Sequence, residues 1–264
     1  MIFVLSDANK IAMRSFLLKA YSILAWITMA LTSIIITPFF LLVWVTTFWW
    51  DRRTLASHMM ATYWAWHYQL LVPFWKLRLE GRKKIPWNRP VVMVANHRSL
   101  IDILALHKLR RPFKWVSKAE NFKLPFVGMV LSLNNHVKIN RESLRSGAQF
   151  LSQAEQEMKK GSSILMFPEG TRSKSKDMRP FKEGAFILAK KTGSGIIPIV
   201  HIGSEKTFDR GSWVLKGKAP IHIRVLDEIA VSEVERLEVK ELMKLTREKM
   251  EEGIARLEQE SEGQ

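Results

Sequence analysis

From Ala20 to Trp50 the chain carries no charged side chain. About 20 apolar residues are enough for a helix to cross a bilayer, so this run exceeds that length. Its apolar residues fall on every side of a helix, which argues against a half-solvated core helix. Asp51-Arg52-Arg53 ends the run, and a second uncharged stretch follows from Thr54 to Trp75. That second stretch contains His58, His67 and Gln69 and is more amphipathic. Together they predict a membrane-associated helical hairpin over residues 1–76. Pro38 is expected to kink its first helix, in keeping with a shallow re-entrant path. A secretory signal is disfavoured, because its apolar region spans only about 7–15 residues and no small-residue cleavage site is evident. Lys10, Arg14 and Lys19 precede the hairpin, and Arg78, Arg82, Lys83, Lys84 and Arg89 follow it. Basic flanks on both sides place both on the cytoplasmic face of the inner (cell) membrane. The sequence leaves open whether the hairpin spans the bilayer or dips into one leaflet.

Composition narrows the partners. Lys and Arg total 41 against 25 Asp and Glu, giving a net charge of +16. Such a chain associates with polyanions or anionic surfaces. Ten tryptophans favour a membrane over nucleic acid, and no zinc-finger pattern supports nucleic-acid binding. Cysteine is absent, which excludes disulfides, thiolate catalysis and cysteine-based metal sites.

Residues 77–264 alternate strand and helix signals, which predicts an α/β domain with helices around a largely parallel sheet. Strands are expected at 91–95, 113–116, 136–139, 163–167, 195–202 and 221–226. Helices are expected at 99–108, 142–160, 183–191 and 233–259, the last opened by a Ser232–Glu235 capping box. Pro198 inside an apolar strand implies an edge, a bulge or a passing ligand.

Two constellations carry chemistry. Asn96-His97-Arg98-Ser99-Leu100-Ile101-Asp102 follows the first apolar strand, where open α/β sheets place their sites. Side chains five apart do not meet along one helix. His97 can therefore touch Asp102 only from just outside a helix whose first turn holds Asp102, with Ser99 as its cap. Read alone, the same residues are equally a capped helix start beside a bystander histidine. The second constellation, Phe167-Pro168-Glu169-Gly170-Thr171-Arg172-Ser173, also leaves a strand. Arg172 offers a planar fork suited to phosphate, and Gly170 lets backbone amides approach an oxyanion. Lys174, Lys176, Arg179 and Lys182 read as a solvated loop. Lys118 and Arg141 each lie at or just past another strand.

In this order, Asn-His-x-x-x-x-Asp, Lys118-x-Glu120 with Pro125 and Gly128, Arg141, Phe-Pro-Glu-Gly-Thr-Arg-Ser and Ile-Pro-Ile resemble the glycerolipid acyltransferases over roughly Val91 to His201. The nearest branch acylates 1-acyl-glycerol-3-phosphate (lysophosphatidic acid). The resemblance implies acyl transfer from an acyl-coenzyme A or acyl carrier protein thioester to that acceptor at a membrane, giving phosphatidic acid. It implies His97 as general base oriented by Asp102. Arg172 would bind the acceptor phosphate, with Glu169 as a positioner and Gly170, Thr171, Lys118 and Arg141 completing the substrate-binding set, and neither a bound cofactor nor a metal is needed. Another lysolipid acceptor, or a non-catalytic lipid-binding protein, stays open. The first motif departs mildly from the family pattern at Arg98 and Leu100-Ile101.

Overall fold

A computed structural model describes residues 7–140, 144–173, 177–209 and 211–262. Helices α1 (Asp7–Thr47) and α2 (Leu55–Leu70) form the expected hairpin. They run antiparallel: Phe40 packs on Trp64, and Ser33 hydrogen-bonds Tyr68 farther from the turn. The Asp51 carboxylate accepts the Ala56 amide at 2.8 Å and so satisfies a free donor at the start of α2. Helix α1 continues through Pro38 as one element. Its 39 residues from Asn9 to Thr47 are long and apolar enough to cross a membrane, and most of that face is exposed. The other face is welded to the rest of the chain. Ala25 and Met29 join the main core, Trp26 Nε1 donates to the Trp213 carbonyl at 2.8 Å, and Trp44 Nε1 donates to Leu133 O at 3.0 Å.

The α/β part contains β1 (Leu77–Glu80), β2 (Val92–Ala95), α3 (Ile101–Leu106), β3 (Phe113–Lys118), α4 (Val127–Leu133) and β4 (Val137–Ile139). It continues with α5 (Leu144–Lys159), β5 (Ser163–Met166), α6 (Gly184–Thr192), β6 (Ile196–Ile202), β7 (Ile221–Val225), α7 (Val231–Arg236) and α8 (Val239–Glu262). Among the described residues seven strands form one sheet in the order β1-β7-β6-β2-β5-β3-β4. Every pairing is parallel except β6 with β7. Both faces are covered, so the central strands are apolar throughout: β2, β5 and β6 are wholly buried. Pro198 lies in β6 where its ladder with β7 stops at Ile199 and resumes only as a bridge from Ile196 to Ile229. The interruption removes the need for the missing amide hydrogen, which is the bulge reading of that residue.

Two local expectations are corrected. The final helix is two helices, divided at Leu237, whose backbone is extended. The Ser232 side chain caps nothing; α7 starts after Ala230, and α8 is opened by Glu241, whose carboxylate accepts the Glu238 amide at 2.9 Å. Lys190 closes α7 by donating to the Val234, Glu235 and Leu237 carbonyls. Strand β1 was not expected, although Leu77 and Leu79 alternate with charged residues as an edge strand requires.

Candidate functional site

Strand β2 is flanked by β5 and β6. The loop leaving β2 therefore lies between the loops leaving both neighbours. Asn96 continues the sheet beyond its last residue: its Nδ2 donates to the His201 carbonyl and its Oδ1 accepts the His201 amide, both at 2.9 Å. This bidentate clamp sets where the chain turns into the next residue, His97.

The two sequence constellations meet here. His97 Nδ1 lies 2.8 Å from Asp102 Oδ2. The same oxygen accepts the Arg98 and Ser99 amides at 2.7 and 2.8 Å. Asp102 thus does the capping at the start of α3 and holds the imidazole with one carboxylate oxygen. Ser99 contributes less, accepting only the Ile101 amide at 3.3 Å. A carboxylate can only accept, so Nδ1 carries the ring hydrogen and Nε2 is left as the basic nitrogen. Burial acts to raise the Asp102 carboxyl; charges on His201 and His97 and the hydrogen bond from His97 outweigh it, leaving its pKa below the usual value.

Glu169 reaches the same loop from β5. It is buried, and its two oxygens accept the His97 amide at 2.8 Å and the Arg179 amide at 2.9 Å. The His97 carbonyl in turn accepts the Ser173 amide at 2.8 Å. Both backbone polar groups of His97 are therefore held by the Glu169–Ser173 loop. Glu169 thus braces the histidine loop through its backbone, in keeping with its expected part as a positioner. Arg172 is exposed. Gly170 has φ of 72°, in the left-handed region that favours glycine. Lys118 pairs with Glu120 at 2.8 Å yet lines the same pocket as Thr171. Arg141, Lys174 and Lys176 lie outside the described residues.

The His97 ring stacks on Phe167 at 4.0 Å between centroids, and Phe167 stacks on Trp115 at 5.6 Å. These two aromatics were not among the expected site residues; Trp115 lies within β3 and Phe167 directly follows β5. His97 lines a pocket of about 350 Å³ with Gly170, Thr171, Arg172 and Lys182 near one wall. Ile103, Trp115, Val127 and Leu131 separate it from an apolar chamber of about 140 Å³ between α2 and α4. On the other side, Leu100 and Arg172 also line a cleft of about 470 Å³ that reaches Trp26 of α1. Among the described residues no group of three or more His, Cys, Asp or Glu could hold a metal ion. The arrangement suits proton abstraction by His97 from a hydroxyl held between an apolar chamber and a cationic rim.

Comparison with known proteins bears on the family and the fold. Residues 76–202 match the acyltransferase family. The chain is 37% identical over 200 residues to a 1-acyl-sn-glycerol-3-phosphate acyltransferase of Chlamydomonas reinhardtii, covering 75% of this chain and 58% of that one. It is 38% identical to a chloroplastic enzyme of that name from Arabidopsis thaliana (61% and 45% covered). It is 32% identical to one from Borreliella burgdorferi (61% and 66%). The chain thus spans between about half and two thirds of the length of these relatives. In fold it resembles the crystal structure of a 1-acyl-sn-glycerophosphate acyltransferase from Thermotoga maritima, with a TM-score of 0.77 at 23% identity, covering 94% of this chain and 97% of that one.

Proposed function

The chain belongs to the acyltransferase family, and from that premise we propose that it acylates the free hydroxyl of 1-acyl-glycerol-3-phosphate to give phosphatidic acid. The observation that carries this reading is His97, held by Asp102 through Nδ1 and by Glu169 through its backbone, beside a pocket with Arg172 on its rim. His97 Nε2 takes the acceptor hydroxyl proton as the oxygen attacks the thioester carbonyl. Collapse of the tetrahedral adduct breaks the carbon–sulfur bond, and the imidazolium returns the proton to the leaving sulfur. Asp102 keeps the tautomer and stabilises the transient imidazolium. The attacking oxygen comes from the substrate, so no protein nucleophile is required. The donor is an acyl-coenzyme A or acyl carrier protein thioester, whose anionic groups suit a chain of charge +16.

Residues 1–76 serve as the membrane element and 77–264 as the catalytic domain, facing the cytoplasmic side. Helix α2, with 16 residues, is about 24 Å long and too short for a hydrocarbon core of about 30 Å. Helix α1 is tied to the domain from Trp26 to Trp44, so crossing the bilayer would carry the domain into lipid. The hairpin therefore lies in one leaflet, with residues such as Ile27, Ile34 and Leu42 in lipid. A lysolipid reaches His97 along the cleft beside Trp26 without leaving the membrane.

The test is an assay with a panel of lysolipid acceptors against both donor types, identifying the product lipid. Preference for a phosphate-free acceptor would sink the assignment. Arg172→Ala is expected to raise the acceptor KM by about tenfold to a hundredfold with little change for a phosphate-free acceptor; equal losses on both would make Arg172 structural. The acyl tail occupies the apolar chamber beyond Trp115. Leu131→Trp, which narrows its entrance, is expected to shift donor preference toward shorter acyl chains, and an unchanged chain-length profile would place the tail elsewhere.

A further inference from the structure

Asp102 has a second oxygen, and its surroundings are as constructed as those of the first. Oδ2 is saturated by His97 and two backbone amides. Oδ1 is fully buried and has no hydrogen bond among the described residues. It faces His201 Nδ1 at 3.6 Å, which is likewise buried and without a hydrogen bond. Ser204 Oγ, in the turn after β6, also acts on the carboxylate and favours its charged form, although its geometry falls short of a full hydrogen bond. The other side of the His201 ring is already committed. Its Nε2 bonds the Asn96 carbonyl at 2.6 Å, and a carbonyl accepts only, so Nε2 carries a hydrogen.

From this geometry we propose that His201 is a positioning residue for the His97–Asp102 pair, held as an imidazolium that fixes the second oxygen of Asp102. The inference rests on the general-base reading of His97. A neutral His201 with its hydrogen on Nε2 would turn a lone pair toward a buried carboxylate, which is repulsive. A proton on Nδ1 converts that contact into a charge-assisted one. Ordinary cross-strand packing does not require a histidine here. The bolt between β2 and β6 is made by the Asn96 side chain to the backbone of residue 201, which any side chain supplies. The groups acting on Asp102 are His97 from the loop after β2, His201 from β6 and Ser204 from the turn beyond it. His201 therefore sets both the aim of the carboxylate and the net charge behind the general base.

The discriminating variant is His201→Gln. A glutamine amide can keep the bond to the Asn96 carbonyl, but it cannot place a charge against Asp102. The expected result is a kcat lower by about 10- to 100-fold and an acceptor KM within about twofold of the parent, in a folded protein whose melting temperature falls because Asp102 loses a buried partner. The acid limb of the pH–rate profile moves to higher pH, because removing a cation behind the dyad lets His97 hold its proton more tightly. Parent-like kcat and profile in His201→Gln would overturn the proposal. Nitrogen-15 NMR of His201 in the intact parent protein gives a reading independent of turnover. Protons on both ring nitrogens at neutral pH support the inference, and a proton on Nε2 alone refutes it. If the parent protein transfers no acyl group, the general-base reading fails and the NMR result alone decides the charge state of His201.

Discussion

His97→Ala is expected to lower turnover at least about a thousandfold while leaving melting temperature and membrane association near those of the parent. The imidazole is partly exposed at the pocket, and its backbone is pinned by Glu169 and Ser173 independently of the ring. Removing the ring therefore strips chemistry without releasing the loop. Asp102→Asn is the sharper companion. An asparagine oxygen at the Oδ2 position can still accept the Arg98 and Ser99 amides and the Nδ1 hydrogen of His97, with its amide group turned toward His201. The cap and the tautomer are then kept but the charge that stabilises the imidazolium is lost, and a large loss of turnover is expected. Steady-state kinetics on both variants, beside thermal unfolding, make the comparison. Turnover close to the parent in purified His97→Ala would remove the histidine from the chemistry. A collapse of melting temperature in Asp102→Asn would recast that residue as a cap alone.

Acid is expected to destabilise the fold steeply below pH 6.5. His107 and His136 are both buried, and both rings accept hydrogen bonds from Trp115. The Trp115 amide donates to His136 Nδ1 at 2.9 Å, and its indole donates to His107 Nε2 at 3.5 Å. An imidazolium cannot accept, so both histidines are neutral in the folded protein. Burial lowers the His107 pKa to about 4. Burial, with the charge of Lys114, lowers His136 well below its ordinary value. Since both folded values are depressed, the unfolded chain binds more protons once pH drops below its own value of 6.5. Stability is therefore fully present above that pH and lost on the way down toward about 4. With two protons the slope approaches ~2.7 kcal/mol per pH unit. Denaturant unfolding between pH 7.5 and 5 measures it, and His107→Gln with His136→Gln should flatten it. A flat curve in the parent would contradict the burial of these rings. Trp115 also stacks under Phe167, so its loosening should disturb the pocket before the whole domain unfolds.

Much of the architecture was legible in the chain because its signals are local. The strands that flank the site are continuous apolar runs, and parallel strands buried on both faces have no other way to read. The hairpin was legible for the same reason. What escaped was short or amphipathic. Strand β1 is four residues of alternating Leu and charge, and α4 is seven residues between turns. The break before α8 depends on how α7 packs against Lys190, and no residue near 237 announces it.

The site divides in the same way. The apolar strand before His97 and the helix start at Asp102 were legible in the sequence by itself, which also set how residues five apart could touch across a helix start; that they do touch, at 2.8 Å, the fold decided. The role of Glu169 needed the fold. Its partner at His97 is 72 residues away in sequence, and composition allowed it equally to touch substrate. His201 lies 105 residues from Asn96, and its place behind Asp102 exists only because β6 pairs with β2. Periodicity and capping act over one or two turns and can be read from a single chain. Strand order brings remote residues together through burial summed over the whole sheet, and that sum has no local signature.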